Sequence, residues 1–329
     1  MTLPTLEVID LKTHFFTREG VVKAVDGVSF QVGAGEVLGL VGESGSGKSI
    51  TGFSILGLVD QPGRIAGGEI LFQGRDLVPL PERERRKLRG SKIAMIFQDP
   101  MMTLNPVLRI DTQMTEAVMA HRDVSKARAL EIARAALVKV GIPAPDERLA
   151  SYPHQFSGGM RQRVAIAIAF LNEPALIIAD EPTTALDVTI QGQILYEAQK
   201  LCRESGTAMI WITHDLAVVA GLAERICVMY AGRIVEQGAI DGVLDRPVHP
   251  YTRGLIGSVP SHNPRDGGRG GRLFQIPGMT PSLLSLPPGC AFRERCPRAD
   301  DACAVDPEIT RPLAGREVRC FHPHLETAA

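Results

Sequence analysis

The residues with the most chemical content stand in one short run, Gly42-Glu43-Ser44-Gly45-Ser46-Gly47-Lys48-Ser49, continued by Ile50. The spacing G-x-x-x-x-G-K-S folds a loop whose backbone N–H groups point inward at a polyphosphate, and the helix that follows adds the partial positive charge of its N-terminus. Lys48 is placed to reach the β and γ phosphates. Ser49 offers a hydroxyl to Mg²⁺, a hard cation that takes hard oxygen ligands. Further polar residues stand one step past apolar runs: Asp180 and Glu181 after Ala175–Ala179, Gln98 after Lys92–Phe97, and His214 after Thr207–Thr213. Hydrolysis of a phosphoanhydride asks for positioned phosphates, a metal, an oriented water and charge stabilisation, with little covalent chemistry. Asp180 suits the second metal-coordinating carboxylate, Glu181 the acceptor of the water's proton, and Gln98 and His214 the groups that reach a γ-phosphate.

The elements that carry these residues follow from the apolar pattern. Glu36–Val41 reads as the strand before the cradle and Ile50–Val59 as the helix after it. Alternation in Leu6–Leu11 and Val21–Val32 around the turn Thr17–Gly20 predicts a strand hairpin, and Gly68–Phe72 a further strand. Asp99–Pro106 carries two prolines and no period, so it reads as a loop. From Ile110 to about Val140 apolar residues recur at helical spacing, with Ser125 an N-cap and Gly141 and Pro143 a stop, and Ser157 opens another helix. The basic run Arg83, Arg85, Arg86, Lys87 and Arg89 reads as a solvated face. Strands that end in polar residues and alternate with helices predict an α/β fold, a mostly parallel sheet with its ligands at the carboxyl ends.

At 329 residues, 44% hydrophobic and 22% charged, the chain has the composition of an ordinary globular protein with room for two domains or one with an appendage. A formal net charge of −1 excludes a global basic field, so no nucleic-acid partner is expected. With no apolar run of about 18 residues and no charged-then-apolar leader, the expectation is a cytosolic chain. Cytosolic thiols disfavour disulfides. Yet four of the six cysteines, Cys290, Cys296, Cys303 and Cys320, crowd into the last forty residues with the spacing C-x5-C-x6-C-x16-C. That stretch is too short and proline-rich for a core of its own. The spacing is wider than zinc's usual C-x2-C pairs, which favours a [4Fe–4S] cluster held by four thiolates, with Zn²⁺ or four buried thiols as alternatives. Arg293, Arg295 and Arg298 then either offset the cluster's charge or are solvated, and Cys202 and Cys227 read as core.

The whole set resembles the ATP-binding subunit of an ABC transporter. Phe156-Ser-Gly-Gly-Met-Arg-Gln-Arg163 resembles the family's signature, Asp180-Glu181 its Walker B ending, Ala185-Leu-Asp187 its D-loop, Gln98 its Q-loop and His214 its switch histidine, in the family's order. Met160 stands where the family usually has Gln. The resemblance implies a P-loop NTPase (RecA-like) core of ABC type with a helical subdomain and a small cysteine-rich C-terminal extension. Its expected bounds are a cassette over 1–258 with the helical subdomain at about 105–172, a linker over 259–289 rich in Gly, Pro and Ser, and a cysteine module over 290–329. It implies ATP and Mg²⁺, the metal held by Ser49, Gln98 and Asp180. It also implies a head-to-tail dimer with a second ABC ATPase in which Ser157, Gly158 and Gly159 meet the γ-phosphate in the partner's cradle, with Asp187 nearby. An aromatic ring under adenine falls to Phe15 or Phe16.

Three further stretches, Phe97–Pro106, Tyr152–Phe156 and the tail with His249–Leu255 and Cys290–Pro297, are similar to the oligopeptide/dipeptide importer subfamily, some of whose members carry a [4Fe–4S] cluster. That resemblance implies uptake of di- or oligopeptides, and a peripheral place on the cytoplasmic face of the plasma (inner) membrane. It also implies docking of the loop after Gln98 on two membrane permeases, with an extracytoplasmic peptide-binding protein as an indirect partner. Two other readings stay open: a cassette serving nickel or another small solute, and a soluble ABC ATPase outside transport.

Overall fold

The computed structural model describes residues 3–183, 188–259 and 275–325. Two compact units divide the chain, one from Met1–Leu6, Gln31–Val37 and Leu71–Ile212, the other from Glu7–Phe30, Leu38–Ile70 and Thr213–Ala329.

In the first unit, Ile93–Ile96, Leu176–Asp180 and Ala208–Thr213 pair in parallel, Ile93 opposite Leu176 and Leu176 opposite Ala208. Leu176–Asp180 and Ala208–Thr213 are buried at every position, the pattern of parallel strands covered on both faces. Helices Ile110–Met119, Lys126–Lys139, Pro145–Leu149 and Gly158–Phe170 form the helical region of this unit. The helical period predicted from Ile110 to Val140 is broken between Met119 and Lys126, where Ser125 accepts from the Arg128 N–H at 3.2 Å and starts a second helix. That helix buries Ala129, Ala133 and Leu137, one residue per turn. The stretch after Gln98 is a loop holding one 3-10 turn, Pro100–Met102, because the Asp99 carboxylate accepts from the Met101 N–H at 2.9 Å.

Largely in the second unit, Leu6–Thr17 lies between Gly20–Val32 and Gly63–Phe72, so the hairpin expected from alternation forms and the further strand expected at Gly68–Phe72 begins earlier, at Gly63. Val37–Val41, fully buried, pairs in parallel with Arg225–Tyr230, Val41 opposite Val228. Arg233–Ala239 continues the sheet in antiparallel sense. The tail then adds to it: Arg316–Arg319 pairs with Arg233–Ala239, Glu236 opposite Val318, and Ile309–Leu313 forms the outer strand. The tail therefore gains order by extending an existing sheet, which needs no core of its own. Among the described residues no helix is long and apolar enough to cross a membrane.

Candidate functional site

The cradle follows the strand Val37–Val41 and opens the helix Lys48–Leu56. Two of its glycines are obligatory. At Gly42, φ is +155° and an added Cβ would stand 2.2 Å from the Met229 carbonyl oxygen; at Gly47, φ is +101° and a Cβ would stand 2.3 Å from that of Ala24. Lys48 is buried, and its ammonium donates to the carbonyls of Gly42 at 2.8 Å and Glu43 at 2.9 Å, turned into the loop. Ser44 and Gly45 are exposed, Ser46 is buried, and Ser49 and Ile50 follow Lys48 in the first turn. The loop thus places a buried ammonium at the N-terminus of a helix, where a partial positive charge adds to it.

His214 is exposed one residue past Thr213, where Asp215 caps the helix Leu216–Ala220 by accepting from the Ala217 N–H at 2.9 Å. Phe15 and Phe16 face opposite ways on their strand. Phe15 shares a face with buried Leu11 and Thr13, and Thr13 Oγ1 is 2.7 Å from Ser54 Oγ on the cradle helix. Phe16 is 39% exposed, with the Arg64 guanidinium 4.3 Å above its ring.

In the first unit Asp180 ends its strand at 6% exposure, and Glu181 follows with φ +44°. A glutamate in the left-handed region is strained. The Glu181 N–H donating to the Ile212 carbonyl at 2.9 Å holds it there. Gln98 Nε2 donates to Glu181 Oε2 at 3.4 Å, so the side chains of these two residues meet. Ser157 caps the helix Gly158–Phe170, accepting from the Met160 N–H at 3.3 Å, and Ser157 and Gly158 are exposed at its open N-terminus. Gly159 packs on Ile190, whose Cγ2 would stand 2.7 Å from an added Cβ. Asp187 lies outside the described residues.

No disulfide joins the tail cysteines. Cys296 Sγ accepts from the Arg298 N–H at 3.4 Å and Cys320 Sγ from the His322 N–H at 3.3 Å, and the Phe292 backbone acts likewise on Cys290. Burial pushes the Cys320 thiol up to about 11, with Cys290, Cys296 and Cys303 adding to the shift. Asp300, Cys303 and His322 bring three donor atoms within 4.8 Å of one another. Arg295, expected either to face a cluster or to be solvated, is 7% exposed and paired with Glu43 of the cradle. The pairing has no local signal in the sequence, since 252 positions separate the two.

Residues 25–184 match the ABC transporter family, and residues 235–303 match the oligopeptide/dipeptide transporter C-terminal region. The chain is 50% identical to the oligopeptide transport ATP-binding protein OppD of Escherichia coli over 97% of its own length and 93% of that protein's. It is 54% identical to a probable peptide ABC transporter ATP-binding protein, y4tR, of Sinorhizobium fredii, over 96% of this chain and 94% of that one. Among solved structures it is similar to the bacterial ABC transporter cassette MJ0796 in its dimeric form. That similarity has a TM-score of 0.65 at 28% identity and covers 71% of this chain and 98% of the other.

Proposed function

Because the chain belongs to the ABC transporter family of ATP-binding proteins, we propose that it hydrolyses ATP to drive import of di- or oligopeptides. The cradle carries the reading: a buried lysine turned into a glycine loop at a helix N-terminus, the arrangement that holds a nucleoside triphosphate. Ser49, Asp180 and Gln98 would hold Mg²⁺, which when bound neutralises charge on the β and γ phosphates. Glu181 accepts a proton from the water as its oxygen bonds to the γ-phosphorus, the bond to the ADP oxygen breaks, and phosphate and ADP leave. The Gln98 contact holds the Glu181 carboxylate in place for this. His214 supplies a further group at the γ-phosphate. Phe15, on the cradle-helix face of its strand, is the ring under adenine, so Phe15→Ala loses more ATP affinity than Phe16→Ala.

Ser157, Gly158 and Gly159 present an exposed helix N-terminus to the triphosphate of a second cassette, a reading supported by the dimeric form of MJ0796. The loop after Gln98 rests on buried Leu104 and displays Met102 and Val107, 72% and 75% exposed, an apolar surface suited to a permease. The peptide cargo rests on the relatives' names, which read oligopeptide or peptide transport, and the permeases and the peripheral place on the inner membrane follow from the resemblance to the importer subfamily. Two measurements test the function: Mg²⁺-dependent ATP hydrolysis that Lys48→Ala abolishes, and peptide uptake by cells that is lost when the gene is deleted. Hydrolysis with normal peptide uptake in the deletion strain would refute the cargo and leave the ATPase.

For the tail, the N–H donors two residues past Cys290, Cys296 and Cys320 support a thiolate-bound metal group, since such bonds stabilise sulfur charge. A [4Fe–4S] cluster on Cys290, Cys296, Cys303 and Cys320 is the first reading. Zn²⁺ is the second, favoured by the Asp300, Cys303 and His322 grouping. Iron with acid-labile sulfide in protein purified without oxygen decides for the first, and stoichiometric zinc for the second.

A further inference from the structure

The phosphate loop is fastened at its second residue by side chains from the far end of the sequence. Arg295 Nη1 donates to Glu43 Oε2 at 2.7 Å and Nη2 to Oε1 at 3.1 Å, a two-point pair, and Thr280 Oγ1 donates to Oε2 at 2.7 Å. The Glu43 N–H donates to Tyr251 Oη at 2.9 Å, and the Glu43 carbonyl accepts from Lys48 Nζ at 2.9 Å. Every polar part of Glu43 is therefore engaged. Arg295 is held in turn, its Nε donating to the Pro277 carbonyl at 2.9 Å and its Nη1 to Tyr230 Oη at 3.3 Å. Phe292, in the same turn of chain, is 2% exposed and packs edge-on to Tyr230 and Tyr251, with ring centroids 5.2 Å and 5.4 Å away. A solvated arginine on a surface turn makes none of these contacts.

Electrostatics gives the arrangement a purpose. Burial alone would raise the Glu43 carboxyl, but the hydrogen bonds from Arg295 and Thr280 outweigh it and hold the group below the usual carboxylate range, with the Lys48 ammonium acting the same way. The carboxylate is thus within electrical reach of the lysine that meets phosphate. An uncompensated anion there repels a polyphosphate, and in a part-buried site the repulsion is poorly screened. We propose that Arg295 is a positioning residue of the nucleotide cradle: it neutralises Glu43 and fixes the main chain at 42–44, so that a loop at the start of the chain binds ATP with a charge supplied from its end. The proposal rests on the ATP-binding reading above.

A role for Arg295 in folding the tail alone predicts a different result, because it does not depend on the charge of Glu43. The test is equilibrium binding of AMP-PNP with Mg²⁺ to the full chain. Lys48→Ala, which must abolish binding, checks the ATP reading separately. Arg295→Met is expected to raise Kd about tenfold in the wild-type background, as loss of one partner of a part-buried charge pair does. In a Glu43→Gln background the same substitution is expected to change Kd by less than about threefold. Equal weakening in both backgrounds, or none in either, overturns the proposal. If Arg295→Met does not fold, Arg295→Lys carries the comparison, since it keeps the charge and loses the two-point geometry. A weakening that Glu43→Gln reduces supports the proposal, and one that it leaves untouched overturns it.

Discussion

Glu181 is held in a left-handed backbone conformation by its N–H bond to Ile212, and Gln98 touches its carboxylate from a different strand end. Strain of this kind persists where the surroundings over-determine the residue, and here it fixes the carboxylate we propose as the proton acceptor. Glu181→Gln keeps size and one acceptor oxygen but cannot take a proton, so turnover should fall by about 10² to 10⁴ while the dissociation constant for ATP barely moves. Single-turnover hydrolysis and nucleotide binding measured on the same preparation check both halves; wild-type turnover would remove Glu181 as the base. The residues around it were legible in the sequence because their meaning is local: a cradle is one run of eight residues, and a carboxylate at the end of an apolar strand needs only its neighbours. The sequence could not say which of Phe15 and Phe16 turns toward the cradle helix. That depends on strand pairing and on the Thr13 contact with Ser54.

At the scale of elements, caps divide the helices and a loop acquires its shape. Ser125 was readable as a cap, but the gap between Met119 and Lys126 is not visible in the apolar period, which both helices share. The loop after Gln98 is shaped by Asp99, by buried Leu104 and by Gln113, whose Oε1 accepts from the Asn105 N–H at 2.8 Å and whose Nε2 donates to the Asn105 carbonyl at 3.0 Å. The exposed side chains of Met102 and Val107 take no part in these bonds. Met102→Asp with Val107→Asp should therefore spare basal ATP hydrolysis and abolish peptide-stimulated hydrolysis in the assembled transporter; loss of both activities together would indicate a folding defect.

The helix Pro250–Gly257 offers a pH test. His249 caps it, Nδ1 accepting from the Tyr251 N–H at 3.0 Å, and burial lowers its pKa from 6.5 to about 3. The unfolded chain takes up this proton near 6.5 and the folded chain does not, so stability falls as pH drops through that window, by at most about 1.4 kcal/mol per unit. His249→Asn keeps a capping side chain and removes the titration, so denaturant midpoints between pH 6.5 and pH 4 should slope less steeply than in the wild type.

Across the whole molecule, the tail is the part least legible in the sequence. Its cysteines announced a staple, yet much of what holds it is a pair of strands on the edge formed by Arg233–Ala239 and two ion pairs. Arg316 meets Glu236 at 2.5 Å, the latter fully buried, and Arg295 meets Glu43. Such pairs join residues 80 and 252 positions apart, and no window of sequence contains both partners. The turn that delivers Arg295 runs from Cys290 to Cys296, the Cys290 N–H donating to the Cys303 carbonyl at 3.0 Å, so these thiols sit on the segment that reaches the cradle. Loosening that turn should act on ATP through Arg295 and by no other route. Cys290→Ser with Cys296→Ser is expected to weaken AMP-PNP binding by up to the tenfold expected for Arg295→Met, and combining the three substitutions should add little beyond Arg295→Met alone. Residues that act through one shared contact give non-additive losses. Full additivity would mean that the cysteines act on nucleotide through some other contact, or only on the stability of the tail, which parallel thermal melts of the four proteins would separate.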